Sequence, residues 1–280
     1  MSTKAVTREI APVAIAVAPN GARRTKADHP ALPLTVAELA RTAAGCLEAG
    51  AAMMHLHVRD AAGRHLLDAA AYRETLGSIV RLVGDRLVLQ ITSESVGCYT
   101  AAEQMAVVRA VRPEAVSLAL RELVPDAAAE GGFAEFLAWL KREHVTPQII
   151  VYSPEEAMRL AGLARRGLLP WDHVPVLFVL GRYGAQLASP ADLAPFLAPG
   201  TPAFRDWMVC AFGPEESACA VAAARAGGSV RVGFENNLWR VPGELAADNA
   251  AQVRATAGLL RAAGATISDA AQLRARWASL

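Results

Sequence analysis

The stretch Val174-Pro-Val-Leu-Phe-Val-Leu180 decides the fold class, because it is apolar at every position rather than at every second one. A strand with this pattern is covered on both faces, as the strands of parallel sheets are. A glycine-bearing turn and a short helical stretch, 190–196, follow it. The stretch therefore predicts one strand–helix unit of an α/β protein.

The same order recurs along the whole chain, and each apolar run precedes a helical pattern. The predicted strands are 13–18, 53–58, 87–92, 115–118, 149–151, 174–180, 207–211 and 230–234. The predicted helices are 36–47, 69–82, 101–111, 133–143, 155–165, 190–196, 215–226 and 245–263. Thr35 and Glu38 form a capping box that opens the first of these helices.

Eight right-handed crossovers in a chain of 280 residues predict a closed (β/α)8 barrel, the TIM barrel. The competing fold is an open doubly wound sheet, which favours a G-x-G-x-x-G turn after its first strand. Here that turn reads APNGARR, residues 18–24, and lacks the glycine pattern. Because no linker or block of charge divides the chain, we expect one domain over residues 1–280. Residues 240–244 and the tail after Thr266 are expected to be additions to the barrel.

The composition excludes several classes of protein. Hydrophobic residues make up 53% and charged residues 20%, which is unlike a disordered chain or a charged coiled coil. The 28 basic and 27 acidic residues give a net charge of +1, so neither nucleic acid nor an anionic membrane is an expected partner. The longest run without a charge, 10–22, contains two prolines, and no membrane-spanning helix is expected.

The location and the assembly of the protein are expectations from the same sequence. The amino-terminal residues lack the long apolar segment of a secretory signal, and the four cysteines form no C-x-x-C pair. These features indicate reduced, mostly buried thiols in a cytoplasmic protein. A barrel of this apolar content is also expected to form a homo-oligomer.

Two histidines lie in the second predicted strand, which reads M-H-L-H-V-R-D over 54–60. Successive side chains of a strand alternate between its faces, so His55 and His57 point the same way. Two imidazoles at this spacing can bind one divalent metal ion, for which zinc is a natural choice. On this pair alone, two hydrogen-bonded histidines inside the barrel are the favoured interpretation.

The eighth predicted strand supplies a carboxylate to the same region. In V-R-V-G-F-E-N-N, residues 230–237, Arg231 and Glu235 share one face. An arginine and a glutamate inside an apolar barrel are costly unless they are paired or bound to metal. Strands two and eight both flank strand one, so their ends meet at one mouth, where such barrels place their chemistry. Two histidines and one carboxylate form a catalytic zinc set, and the alternative for Glu235 is a salt bridge.

Smaller polar groups end two other strands. Thr92, Ser93 and Glu94 follow the third strand, and Ser117 lies in the fourth. Each of them is by itself more often a cap or a turn former than a catalyst. They become candidates because the barrel turns them toward the same mouth.

These residues resemble the β-keto acid cleavage enzyme family. The segments that carry the resemblance are NGARRTKADHPALPLTVAELA (20–40), EAGAAMMHLHVRD (48–60), LQITS (89–93), PEAVSL (113–118), VLFVLGRYGA (176–185) and VRVGFENN (230–237). The resemblance implies a Zn²⁺-dependent (β/α)8 enzyme that transfers an acyl unit between a β-keto acid and acetyl-CoA, giving acetoacetate and a new acyl-CoA. It also implies that His55, His57 and Glu235 are the zinc ligands. The metal would polarise the keto oxygen, so that the adjacent carbon loses its proton and attacks the thioester.

The resemblance also brings out differences. Family members usually read G-x-E-D-N after strand eight, and that Asp, helped by the arginine, takes part in deprotonating the substrate. This chain has Asn236, and an amide cannot take up a proton near pH 7. The acid common in strand five is replaced in Pro147-Gln148-Ile149-Ile150, whereas Glu94 is a new acid that could partly replace the lost ones. The candidate catalytic residues are Arg231, Asn236, Thr92, Ser117 and Glu94.

The loop after the first strand is expected to meet the tail of the substrate. Relatives that take an amine-tailed keto acid have a carboxylate at the position of Arg23. The reversed charge here predicts an anionic or neutral polar tail, unless Arg23 points to solvent or to a neighbouring subunit. The candidate substrate-binding residues are Asn20, Arg23 and Ser93.

Three functions are open on the sequence alone. The first is a zinc-dependent β-keto acid:acetyl-CoA acyltransferase of altered specificity. The second is a metal-dependent lyase, of the aldolase or decarboxylase type, that acts without CoA. The third is a catalytically silent barrel that binds a metal and a keto acid.

Overall fold

The computed structural model describes residues 10–184, 186–240 and 243–280. The strands in these ranges are β1 (Val13–Val17), β2 (Met53–Leu56), β3 (Val58–Arg59), β4 (His65–Leu66), β5 (Val88–Thr92), β6 (Ala115–Ala119), β7 (Thr146–Val151), β8 (Val176–Leu180), β9 (Trp207–Ala211), β10 (Ser229–Val232) and β11 (Ile267–Ser268). Residues 1–9 of the predicted domain, and 241 and 242 of the predicted addition at 240–244, lie outside the described residues.

The α-helices alternate with the strands. They are α1 (Val36–Ala49), α2 (Ala69–Val83), α3 (Ala101–Val111), α4 (Leu120–Leu123), α5 (Glu130–Arg142), α6 (Pro154–Arg165), α7 (Glu216–Arg225), α8 (Asn249–Ala262) and α9 (Ala270–Ala278). Two 3₁₀ segments cover Ala127–Ala129 and Pro190–Leu197. No helix among the described residues is both long enough and apolar enough to cross a bilayer. The four cysteines are free thiols and three of them are buried, as the sequence predicted.

Eight of the strands form a closed parallel barrel, which confirms the predicted (β/α)8 architecture. Their order is β1, β2, β5, β6, β7, β8, β9 and β10, and β10 pairs with β1 to close the ring. In this register Ala16 of β1 lies beside Met53 of β2 on one side and Arg231 of β10 on the other. The predicted placement of the second and eighth barrel strands on either side of the first is therefore correct.

The ends of the helices and strands follow local capping and turns. Helix α1 begins at Val36, and the predicted capping box of Thr35 and Glu38 is present at its amino terminus. The prediction that the last long helix starts at residue 245 is wrong by four residues, because Asp248 caps α8 by accepting the N–H of Ala251. The predicted strand 53–58 is interrupted after Leu56, because β3 turns away and pairs antiparallel with β4.

The core has two layers, one on each side of the barrel wall. The outer layer, between strands and helices, includes Met54 and Leu56 of β2, as their alternation with the histidines predicted. The inner layer includes Met53 and Met208, and Trp277 of α9 packs against it. The tail after Thr266 is thus more than an addition: β11 pairs with β1, and α9 closes the amino-terminal end of the barrel. The open mouth is at the carboxyl ends of the strands.

Candidate metal centre

His55 and His57 point into the barrel from the end of β2, and Glu235 reaches them from the turn after β10. The two Nε2 atoms are 3.2 Å apart. Glu235 Oε2 lies 3.6 Å from His55 Nε2 and 3.4 Å from His57 Nε2. Two ligands, each about 2.05 Å from a tetrahedral zinc ion, are about 3.3 Å apart, so this triangle has the size of a zinc ligand set. Within the described residues, these three form the one cluster that could hold a metal ion.

The hydrogen bonds of His55 determine which of its nitrogens carries the proton. Gln90 Nε2 donates to Gln148 Oε1 at 3.1 Å, so Gln90 turns its Oε1 toward His55 Nδ1 at 2.8 Å. An amide oxygen only accepts, and His55 therefore carries its proton on Nδ1. Burial lowers the pKa of His55 to about 3, which keeps the ring neutral near pH 7. The lone pair of Nε2 faces the other two ligand atoms.

Arg231 fixes the orientation of the carboxylate. Its Nη2 donates to Glu235 Oε1 at 2.9 Å, which turns Oε2 toward the histidines. Burial alone would raise the pKa of Glu235, but Arg231 and the two histidines hold it well below its usual range. Glu235 Oε2 is buried and, among the described residues, has no hydrogen-bond partner. A buried anionic oxygen beside imidazole lone pairs calls for a cation, and a divalent metal ion fits this donor set.

Two adjoining cavities open above the cluster. The first contains the three candidate ligands in its wall. The second extends to the loop of residues 20–24 and shares Glu94, Phe212 and Glu235 with the first. The arrangement offers a metal-proximal cavity for the reacting part of a substrate and a second cavity for its tail.

Four predicted catalytic residues line the first cavity: Arg231, Thr92, Ser117 and Glu94. Ser117 Oγ is buried and, within the described residues, makes no hydrogen bond, so it can receive one from a substrate or donate one to it. Thr92 Oγ1 accepts the Glu94 N–H at 3.0 Å. The Glu94 carboxylate is 30% exposed and lies 3.9 Å from His57 Nδ1, at the boundary between the cavities.

The other predicted residues lie outside the described wall of the first cavity, although Asn20 lines the second. Ser93 Oγ donates to the Ser117 carbonyl, away from the cavities. The Asn20 side chain clamps the backbone of His57: its Nδ2 donates to His57 O at 2.9 Å, and its Oδ1 accepts from His57 N at 3.3 Å. Asn236 is buried, and it is not one of the described residues that line either cavity. Its two amide atoms have no hydrogen-bond partner in the described part of the chain.

The loop after β1 presents two arginines, of which the sequence analysis selected one. Arg23 is exposed, whereas Arg24 is half-buried, and both line the second cavity. Their guanidinium carbons lie 5.8 Å and 5.5 Å from the ring centre of Tyr183. Arg59 holds the loop by donating to the carbonyls of Gly21 and Arg24. Adjacent residues of an irregular loop carry no periodicity, so the sequence held no signal that Arg24 faces inward.

Comparisons with known proteins identify the family of the chain. Residues 12–278 match the sequence profile of the family described as "beta-keto acid cleavage enzyme". The 3-keto-5-aminohexanoate cleavage enzyme of Acetoanaerobium sticklandii is 28% identical, over 91% of this chain and 93% of its own. The 3-oxoadipate:acetyl-CoA acetyltransferase of Cupriavidus necator is 26% identical, over 94% of both chains.

A solved structure shows the same fold. The apo structure of ObcA superposes with a TM-score of 0.69 at 17% identity, over 89% of this chain and 66% of that one. The profile match spans nearly all of the sequence, from the first barrel strand to the helix that closes the barrel. The chain belongs to the β-keto acid cleavage enzyme family.

Proposed function

We propose that this protein is a zinc-dependent acyltransferase that converts a β-keto acid and acetyl-CoA into acetoacetate and a new acyl-CoA. The observation that carries the proposal is the triangle of His55 Nε2, His57 Nε2 and Glu235 Oε2 at the base of an open cavity. The name of the Cupriavidus necator relative, an acetyl-CoA acetyltransferase, supports the choice of co-substrate. A zinc ion held by these three residues would supply a Lewis acid for the keto oxygen.

The proposed reaction balances without an oxidant or a reductant. The carbon between the keto group and the carboxylate loses a proton and bonds to the acetyl carbonyl carbon, and the CoA thiolate leaves. The thiolate then attacks the original keto carbon. The bond between that carbon and the deprotonated carbon breaks, which releases the new acyl-CoA. The remaining enolate takes up one proton and becomes acetoacetate.

We assign the proton transfer to Glu94 rather than to Asn236. The Glu94 carboxylate lies in the wall of both cavities, next to the metal-proximal end. An ionised carboxylate accepts protons and an amide does not. Arg231 is already bonded to Glu235, so its proposed role is to orient that ligand. Ser117 Oγ, unpartnered among the described residues, is the proposed hydrogen-bond donor to the substrate.

We further propose that the tail of the substrate carries a negative charge or is neutral and polar. Arg23 and Arg24 line the second cavity, and Arg24 is the less exposed of the two. A guanidinium that is half-buried interacts with a carboxylate in a medium of lower dielectric than bulk water, which strengthens the pair. An ammonium tail in this cavity would meet like charge. Of the two relatives named above, one is named for an amine-tailed keto acid and the other for a dicarboxylic one. Their sequence identities to this chain, 28% and 26%, do not choose between the two types of tail.

The test is a panel of β-keto acids incubated with the zinc-loaded protein, with and without acetyl-CoA, while acetoacetate is measured. The proposal predicts acetoacetate only when acetyl-CoA is present. Cleavage without CoA would favour the lyase, and no turnover of any keto acid would favour the silent barrel. His57→Ala should abolish both bound zinc and turnover, whereas His173→Ala, an exposed histidine outside both cavities, should change neither.

A further inference from the structure

A hairpin brings a third histidine, His65, against the ligand His57. Strands β3 and β4 pair antiparallel, with Arg59 opposite His65. The turn between them is held by Asp60 Oδ1, which accepts the N–H groups of Ala62 and Arg64 at 2.9 Å each. His65 Nδ1 thereby lies 3.5 Å from His57 Nδ1, on the side of the ring away from Glu235. Because the hairpin fixes the backbone of His65, the contact between His65 and His57 is a consequence of the fold.

The other nitrogen of His65 determines the direction of that contact. His65 Nε2 lies 2.8 Å from the carbonyl oxygen of Glu94. A carbonyl oxygen only accepts, so Nε2 carries the proton of the neutral ring and Nδ1 carries a lone pair. His57 Nδ1 must then be the donor in its contact with His65. With its proton on Nδ1, His57 presents the lone pair of Nε2 to His55 and Glu235.

The backbone of His57 is fixed independently of its ring. Asn20 bonds to both the N–H and the carbonyl of His57, which leaves rotation of the imidazole as the remaining freedom. A ligating histidine whose second nitrogen has a partner keeps its ring orientation and its tautomer. His65 can supply both for His57, as Gln90 does for His55.

We propose that His65 is a positioning residue for the metal ligand His57, acting as the acceptor of its Nδ1–H. This inference rests on the metal site of the proposed function, and it adds a residue that the sequence analysis did not select. The competing account is a packing role. In that account His65 only packs against Tyr99, with the two ring centres 6.0 Å apart, and donates to the Glu94 carbonyl. The two accounts differ in what they expect of metal affinity.

The test compares Co²⁺ binding, followed by visible absorption, and Zn²⁺ competition in the wild type, His65→Leu and His65→Asn. His173→Leu is the matched control, because that histidine is exposed and lies outside both cavities. Loss of a hydrogen-bond partner of a ligating histidine typically lowers metal affinity by about 10–100-fold, and we expect a loss of this size in His65→Leu. In His65→Asn an amide oxygen near the position of Nδ1 should restore much of the affinity. The thermal midpoint of each metal-free variant should match that of the metal-free wild type.

Each outcome decides between the accounts. Tight Co²⁺ binding by His65→Leu with an unchanged absorption spectrum would overturn the positioning role while leaving the metal site itself intact. Equal weakening in the Leu and Asn variants would assign the effect to packing, which also overturns it. A wild type that binds neither metal would overturn this inference together with the zinc of the proposed function.

Discussion

Gly21 lies directly against the side chain of Glu235, so that a Cβ placed on Gly21 would stand 2.5 Å from Glu235 Cγ. Carbon atoms that are not bonded to each other are normally 3.5–4.0 Å apart, about 1 Å or more beyond this separation. Gly21 also has a φ of +60°, in the left-handed region that favours glycine. The loop after β1 and the turn after β10 therefore fit together only with glycine at this position, and that fit sets the place of the carboxylate.

Replacing Gly21 with alanine should displace Glu235 and weaken metal binding. Gly167 offers the matched control, because its φ is +74° but an added Cβ would meet no atom within 4 Å. Both Gly→Ala variants should lose roughly 1 kcal/mol of stability from the backbone conformation. Only Gly21→Ala should lose bound zinc, measured by elemental analysis of the dialysed protein. Equal zinc content in the two variants would show that the carboxylate tolerates the displacement.

Glu94→Gln should lower turnover by about a hundredfold or more, since it removes the proposed general base while keeping the size of the side chain. The zinc content should stay that of the wild type, because Glu94 is not one of the three ligands. Glu122→Gln is the control, and its amide oxygen can still accept the Ser95 N–H as the Glu122 carboxylate does. Turnover in Glu94→Gln close to that of the wild type would assign the proton transfer to another group.

Asn236→Asp should raise turnover on a β-keto acid, because it restores a carboxylate where the resemblance places an acid. The change is best made both in the wild type and in Glu94→Gln. A new carboxylate at position 236 should have the larger effect in Glu94→Gln, because the proposed base is absent there. Rates of acetoacetate formation over a range of substrate concentrations separate kcat from KM. No gain in either background would contradict the prediction and would show that a carboxylate at this buried position, outside the described walls of both cavities, does not reach the substrate.

The tail preference should depend on Arg24 more than on Arg23. Arg24→Met should lower kcat/KM for a dicarboxylic β-keto acid by about tenfold relative to a neutral-tailed one, equivalent to about 1.4 kcal/mol. Arg23→Met should have a smaller effect, since Arg23 is exposed and its charge is better screened. A wild-type preference for an amine-tailed substrate would show that neither arginine sets specificity. A larger effect of Arg23→Met than of Arg24→Met would assign the tail preference to Arg23, as the sequence analysis predicted.

Glu216 should make the stability of the protein depend on pH. This buried side chain accepts the Gly233 N–H at 3.1 Å, and burial raises its pKa from 4.5 to about 8. The pKa is higher in the folded state, so the stabilisation is complete below pH 4.5 and is lost as the pH rises through about 8. The free energy of unfolding should fall across this window by at most about 1.4 kcal/mol per pH unit from this group.

Glu216→Gln should remove that dependence. Urea unfolding at several pH values within the window would measure it, with Glu215→Gln, at the exposed neighbouring position, as the control. The free energy of unfolding of the wild type minus that of Glu216→Gln should fall as the pH rises, because only the wild-type side chain ionises. A constant difference across the window would show that Glu216 keeps one protonation state throughout.

The geometry of the candidate metal centre was predictable from the sequence because it depends on two regular rules. Alternation along a strand places His55 and His57 on one face, and right-handed crossovers place the strands that carry them and Arg231 on either side of β1. Glu235 lies beyond the end of β10, in a turn, yet it keeps the expected direction. Both rules concern backbone geometry and are insensitive to the details of side-chain packing.

The parts that the sequence did not reveal depend on irregular backbone. His65 meets His57 because a turn at Asp60 folds the chain back, and the extended run 53–58 gave no sign of that turn. The inward position of Arg24 depends on hydrogen bonds from Arg59 to loop carbonyls. The closing role of α9 depends on contacts of Trp277 with residues far away in sequence. In each case the deciding contact is a long-range or loop contact without a repeating pattern.

The pairing of β1 with β10 and β11 has a consequence for the order of events during biosynthesis. At about 5–20 residues per second, the ribosome needs on the order of 10–50 s after synthesis of β1 to reach its later partners β10 and β11. His55 and His57 have long emerged by then, but Glu235 has not. A nascent chain therefore holds only two of the three candidate ligands. The candidate metal centre is assembled only when the barrel closes, so its three ligand atoms come together in the last step of folding.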